Sequence, residues 1–152
     1  MGSVSDRLTA AGHVLPPSPT ALGSYVPAVR SGSLVFTSGQ LPFRDGVLLC
    51  SGVVGADVEP GIARVCAEQA ALNALAAATT VVDLDDIVRV VKLTGFVASA
   101  PGFTGQPTVV DGASAVLLDA FGEAGRHARA AVGVAALPLG SPVEVEVVFE
   151  VA

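Results

Sequence analysis

Apolar positions along the chain follow two rhythms. At helical spacing, Ile62, Val65, Cys66, Leu72 and Leu75 form a stripe that opens at Pro60 and runs to about Ala78. The alanines crowding this stripe would let the helix lie close against a sheet. A second helical run begins at Pro107 with Val109/Val110, Ala113, Val116/Leu117 and Ala120/Phe121, and Gly122 and Gly125 end it. A short amphipathic helix is expected around Val4–Ala11, before the Pro-rich piece His13–Thr20. Strand-like runs cover Tyr25–Arg30 and Ser33–Ser38, split by a turn at Gly32, and Val47–Cys50 follows the hairpin signal Asp45-Gly46. Asp83–Asp86 reads as a solvated turn before a buried strand over Ile87–Val97. Two last strands, Ala128–Ala135 and Val143–Val151, are separated by Leu137-Pro-Leu-Gly-Ser141.

This order, β-β-β-α-β-α-β-β, predicts an α/β (α+β) two-layer sandwich with both helices on one face of a sheet. Residues 1–20 read as a helical and Pro-rich extension, and residues 21–152 as the domain proper. Nothing in the inventory is left to cover the second face of the sheet. Composition sharpens that point. Of 152 residues, 51% are hydrophobic and 14% charged, and the mean hydropathy is +0.66. No stretch reaches the ~18 uninterrupted apolar residues of a spanning helix. The richest run, Ala70–Val82, is broken by Asn73, Thr79 and Thr80 and meets Asp83. The excess apolar surface therefore points to an oligomer rather than a membrane.

The start MGSVSDRLTA has no basic segment followed by an apolar core, so no secretory signal is expected, and Asp6 spoils a myristoylation motif. Cys50 and Cys66 have neither metal nor disulfide-framework spacing. They read as reduced, mostly buried thiols of a cytoplasmic protein. A net charge of −6 and a pI near 4.6 argue against nucleic acid as a partner. His13 and His127 are isolated, so no metal is expected.

There is no phosphate loop, no G-x-S-x-G elbow and no H-E-x-x-H. Among only seven arginines and one lysine, Arg129 stands out. It opens a strand of small apolar residues, and alternation puts Arg129, Ala131 and Gly133 on one face. A guanidinium with room above it suits a carboxylate; a structural ion pair is the competing explanation. In Val143–Val151 the glutamates 144, 146 and 150 share a face. One of them could orient and deprotonate water, or all three could form a wet strand face. Nothing local chooses between Glu144 and Glu146.

Tyr25-Val-Pro, Thr37-Ser-Gly-Gln-Leu-Pro42, Ala128-Arg129 and Leu137-Pro138…Val143-Glu-Val-Glu146 together resemble the RidA/YjgF enamine/imine deaminases, also labelled endoribonuclease L-PSP. The resemblance runs from about Leu22 to Val151. It implies a chorismate-mutase-like fold and a homotrimer whose sheets form a central barrel, with pockets between subunits. It further implies that Arg129 holds the carboxylate of a small metabolite and that Glu144 positions the attacking water. Tyr25, Ser38, Gly39 and Ala131 would line the pocket, the first three from a neighbouring subunit, and no cofactor would be needed. The reaction implied is hydrolysis of a 2-imino acid to a 2-keto acid and ammonia. Where the family reads Pro-Ala-Arg-Ser-Cys, this chain reads His127-Ala-Arg-Ala-Ala131. That loss of polar groups keeps a second reading open, a non-catalytic or regulatory carboxylate binder of the same family. A ribonuclease role is carried only by the older label. Were the last two strands a simple hairpin centred near Leu139, Arg129 would lie on the order of 17 Å along the strand from Glu144. Either they are not partners, or the pocket uses two chains.

Overall fold

A computed structural model describes residues 2–20 and 23–152. Ala21 and Leu22, on which the expected domain boundary and the start of the family resemblance fall, lie outside the described residues. The first helix, α1 (Val4–Ala10), starts at Ser3, whose hydroxyl accepts from the Asp6 N–H while the Asp6 carboxylate accepts from the Ser3 N–H. This reciprocal cap holds a helix too short to persist by itself. Val4 and Leu8 are buried and join the main core. The Val4 N–H donates to Asp85 at 2.8 Å, and His13 pairs with Asp119 at 2.8 Å. The segment read from sequence as an extension is thus fastened into the domain.

Strands β1 (Ala28–Ser31) and β2 (Leu34–Thr37) form the expected hairpin. The next two differ from expectation. β3 (Phe43–Arg44) and β4 (Val47–Leu48) make a separate two-stranded ribbon, so four strands rather than three precede the long helix. Its turn carries Asp45 and Gly46 at φ 52° and 78°, the paired left-handed conformations of the tightest hairpins. Then come α2 (Pro60–Ala78), β5 (Ile87–Ala98), α3 (Gln106–Phe121), β6 (Ala128–Val134) and β7 (Val143–Val151).

The five-stranded sheet has the order β1-β2-β7-β5-β6. Only β5 and β6 run parallel, as their crossover through α3 requires. β7 therefore pairs with β5 and β2, and the last two strands are not hairpin partners. Val143, Val145, Val147, Phe149 and Val151 point from β7 into the core, at most 2% exposed. α2 packs against them, while Val109, Val110, Ala113, Val116, Leu117 and Ala120 of α3, the face that its periodicity predicts, join the same core over β5 and β6.

The face of α2 departs from its expected stripe. Cys66, Leu72 and Leu75 are buried, but Ile62 and Val65 are about half exposed, and alanines 63, 67, 70, 71, 74 and 77 fill the inner side. Hydrophobicity alone does not register size. Where two helix backbones nearly touch, only small side chains fit, so alanine sets the face. The contact is closest at Gly112 of α3, where a Cβ would run into the backbone carbonyl of Arg64.

Among the described residues the second face of the sheet carries no helix. Val29, Phe36 and Val132 stand on it between about 40 and 50% exposed, among Glu146, Glu150 and Lys92. Among the described residues no helix is long and apolar enough to cross a membrane.

Candidate active site

The β2–β7 ladder stops after Phe36–Val148 and resumes only at Gln40–Val145. Between these points Thr37, Ser38 and Gly39 stand against Glu146 and Val147, one residue too many for regular pairing. The surplus is taken up as a bulge, a device that re-aims side chains at strand ends. The Val147 N–H turns to the Thr37 hydroxyl oxygen at 3.0 Å. The Ser38 hydroxyl donates to the Val26 carbonyl at 2.6 Å, and its N–H to that of Pro27 at 2.8 Å. Ser38 and Gly39 are thereby brought beside Glu144, whose side chain points away from the buried Val143 and Val145. A Cβ at position 39 would occupy the place of the Glu144 carboxylate. Glycine at this position is therefore a requirement of the carboxylate next to it.

Glu144 is half-buried, and no cation pairs with it among the described residues. Burial holds its carboxyl above the usual carboxylate range, and the negative charge of Glu146 raises it further. A carboxylate with raised proton affinity is better able to take a proton from water. Glu146 itself is exposed and lies outside the cleft. The structure thus separates two glutamates that the sequence leaves equivalent.

Tyr25, Ser38, Gly39 and Glu144 line one cleft of about 1150 Å³, with Pro138 beside them. The cleft continues past Gln40 and Leu41 to the β3–β4 hairpin. There the Arg44 Nε–H donates to Gln69 Oε1 at 3.0 Å, and the Gln69 amide donates to Asn73 at 3.0 Å. Asn73 in turn donates to the carbonyls of Leu41 and Phe43 at 2.8 and 2.9 Å. This relay, four residues apart on α2, pins the hairpin to the helix.

Arg129 and Ala131 lie elsewhere. Arg129 stands in register with Leu93 and Val147, whereas Glu144 stands in register with Phe96 and Val132. Three residues along and two strands across separate their Cα atoms by about 14 Å. They also face opposite sides of the sheet. The Arg129 guanidinium turns to α3, where Nη1 donates to Asp111 at 2.7 Å and Ser114 at 3.2 Å, and Nη2 to the Pro107 carbonyl at 3.4 Å. The ion pair weighed from sequence is present. One chain does not bring Arg129 and Glu144 together.

Sequence reading missed the groups that hold these side chains. Pro107, Asp111 and Ser114 share one helical face by their spacing, a signal legible once Arg129 is known to face α3. Behind Ser114, His127 accepts or donates at 2.9 Å and contacts the Gly125 carbonyl at 2.6 Å. Of the two free thiols, Cys66 is buried and its pKa is pushed up to about 11, by burial first and then by Cys50, with Arg44 acting the other way. It is a thiol at neutral pH and a poor nucleophile. Among the described residues no three His, Cys, Asp or Glu side chains are grouped to hold a metal ion.

Comparison with known proteins fits this geometry. Residues 5–151 match the family described as "YjgF/chorismate_mutase-like, putative endoribonuclease". Protein TCP17 of Trypanosoma cruzi is 44% identical over 154 residues, covering 98% of this chain and 94% of its own. A crystal structure described as a putative endoribonuclease from Shewanella oneidensis is 36% identical with a TM-score of 0.93, covering 99% of this chain and all of its own. Further away, Escherichia coli TdcF with bound serine is 27% identical with a TM-score of 0.59, covering 89% and 94%.

Proposed function

The chain belongs to the YjgF/chorismate mutase-like family, and from that premise we propose that it hydrolyses reactive 2-imino acids to 2-keto acids and ammonia. One observation carries the reading: a half-buried carboxylate, Glu144, with no paired cation among the described residues, held over the Gly39 bulge in a cleft with Ser38 and Tyr25. The Glu144 carboxylate takes a proton from water as the water oxygen bonds to C2 and the C=N pair moves onto nitrogen. Glu144 returns the proton to nitrogen, giving the tetrahedral carbinolamine; it then takes the carbinolamine hydroxyl proton and passes it to the amine, so that the C–N bond breaks and ammonia leaves as C=O forms. Water and imine are consumed; keto acid and ammonia are released. The imine is electrophilic already, so positioning and one base suffice.

Arg129 holds the substrate carboxylate in this scheme. Because it faces away from Glu144 within one chain, the two act across a subunit boundary of a homotrimer. The helix-free face of the sheet, on which Val29, Phe36 and Val132 stand exposed, supports such an assembly. Serine bound to the relative TdcF supports a ligand of amino-acid type. The acidic pI, near 4.6, disfavours RNA as substrate.

The test is turnover of a 2-imino acid generated in situ by an amino acid oxidase. Arg129→Ala should lower kcat/KM about 100-fold, the loss of a charge-assisted contact. Absence of any wild-type rate above buffer overturns the reading. A second reading, a non-catalytic carboxylate binder, is favoured by Ala130 and Ala131 beside Arg129, where polar groups are missing. It predicts thermal stabilisation by keto acids with no turnover.

Glu146→Gln bears on the pH profile. Activity should rise with pH as Glu144 deprotonates, and removal of the Glu146 charge should shift that acid limb to lower pH. An unmoved limb in a pH–kcat/KM series would mean that Glu144 is not the titrating base.

A further inference from the structure

Arg129 has five N–H donors, and α3 uses them selectively. Both Nη1 hydrogens are taken, one by Asp111 and one by Ser114, and one Nη2 hydrogen reaches the Pro107 carbonyl. A guanidinium clamps a carboxylate through one of two parallel pairs, Nη1 with Nη2 or Nε with Nη2. The first pair is blocked at Nη1. Only the Nε–Nη2 edge remains, since Nε has no partner among the described residues.

The anchors are themselves oriented. The Gly125 carbonyl can only accept, so His127 Nδ1 carries the hydrogen of their 2.6 Å contact. In the neutral ring Nε2 is then bare and accepts from the Ser114 hydroxyl at 2.9 Å. With its hydrogen so directed, the Ser114 oxygen offers its lone pairs to Arg129. The chain of donation runs one way, from Arg129 through Ser114 and His127 to Gly125. All three anchors of the guanidinium come from one face of α3, at positions 107, 111 and 114.

We propose that α3 is the holder of the carboxylate-reading arginine and sets its specificity. Ser114 is a positioning residue that fixes the guanidinium with its Nε–Nη2 edge outward, and Asp111 selects monoanionic acids. This rests on the reading of Arg129 as the carboxylate holder. Asp111 keeps half its side-chain surface exposed, and Arg129 about a quarter. Their charges cancel, so a 2-keto or 2-imino monocarboxylate is held by paired hydrogen bonds rather than by net charge. Once the first carboxylate has joined this neutral pair the site carries a net negative charge, and a second carboxylate on the substrate would be repelled by it in a chain of net charge −6.

The test uses calorimetry with two probes, 2-oxobutanoate and the dicarboxylate 2-oxoglutarate, on full-length wild type, S114A, S114T and D111N. Wild type should prefer 2-oxobutanoate. S114A should weaken its binding about tenfold, and S114T, which keeps the hydroxyl, should restore most of it. In turnover, the S114A loss should be carried by KM more than by kcat. D111N keeps an acceptor oxygen for Nη1 while removing the charge. It should tighten 2-oxoglutarate binding at least threefold more than 2-oxobutanoate binding, roughly the repulsion of two charges about 7 Å apart in water. Wild-type affinity for 2-oxobutanoate in S114A, or an equal change for both probes in D111N, overturns the proposal. So does a wild type that binds neither probe. Selective binding by wild type without turnover removes the deaminase reading and leaves the holder intact.

Discussion

Glu144→Gln should lower kcat for 2-imino acid hydrolysis by about three orders of magnitude, within the span general-base groups contribute. Glutamine has the shape of glutamate, so the contact over Gly39 and the pairing of β7 with β2 and β5 survive. What disappears is the lone pair basic enough to receive a proton from water. The effect should fall on kcat with little change in keto-acid affinity, because carboxylate binding resides in Arg129. Steady-state rates on the oxidase-coupled imine, with the folded state checked by melting, read this directly. A variant within tenfold of wild type would assign the proton transfer to another group, and Glu146 would not be the substitute, since it lies outside the cleft.

Gly112→Val is expected to have the largest effect on stability. The Cβ of any side chain at 112 would collide with the Arg64 carbonyl oxygen and also press on the Arg64 Cγ. That carbonyl is part of the α2 backbone and cannot rotate aside, so the two helices must separate. The alanines of α2 that fit at close range would then leave gaps. Overpacking of a tight core costs roughly 3 kcal/mol in such cases. For a chain of this size, that corresponds to a melting temperature lowered by roughly 6–12 °C. Alanine at 112 should cost less, because it recovers about 1 kcal/mol of helix propensity relative to glycine. A valine variant melting within 2 °C of wild type would mean that α2 and α3 do not approach as closely as described.

Much of this architecture is legible in the residues. The ends of α2 follow from Pro60 and the last alanine before Thr79, and α3 ends at Gly122 as its glycines announce. Alternation in Val143–Val151 puts the glutamates on one face and the valines on the other, as found. Three features are not legible, each for a physical reason. The insertion of β5 between β6 and β7 is a choice among distant pairings that no local pattern encodes. The inner face of α2 is set by the size of its residues, which hydrophobic spacing ignores. The partners of Arg129 depend on which side of the sheet α3 covers, and a strand of small residues such as Ala128–Val134 has no strong preference to reveal it. The site splits along the same line. Within one chain Tyr25, Ser38, Gly39 and Glu144 share a cleft, where the family resemblance implies Tyr25, Ser38 and Gly39 from a neighbouring subunit, whereas Arg129 and Ala131 stand on the other edge of the sheet.

The place of β7 has a consequence for how the protein is made. It lies in the middle of the sheet between β2 and β5, yet a ribosome adds it after every other element described. Until residues 143–151 emerge, β2 and β5 each present an unpaired edge, and the apolar side of α3 has no Phe149 to close on. Hairpins such as β1–β2 can form during synthesis, but the centre of the sheet cannot. The nascent chain must therefore carry open strand edges until residues 143–151 have emerged, a period in which such edges invite pairing with other chains. Closure of the sheet waits for this one strand, and a chain stopped before residue 143 loses the middle of its sheet rather than its margin.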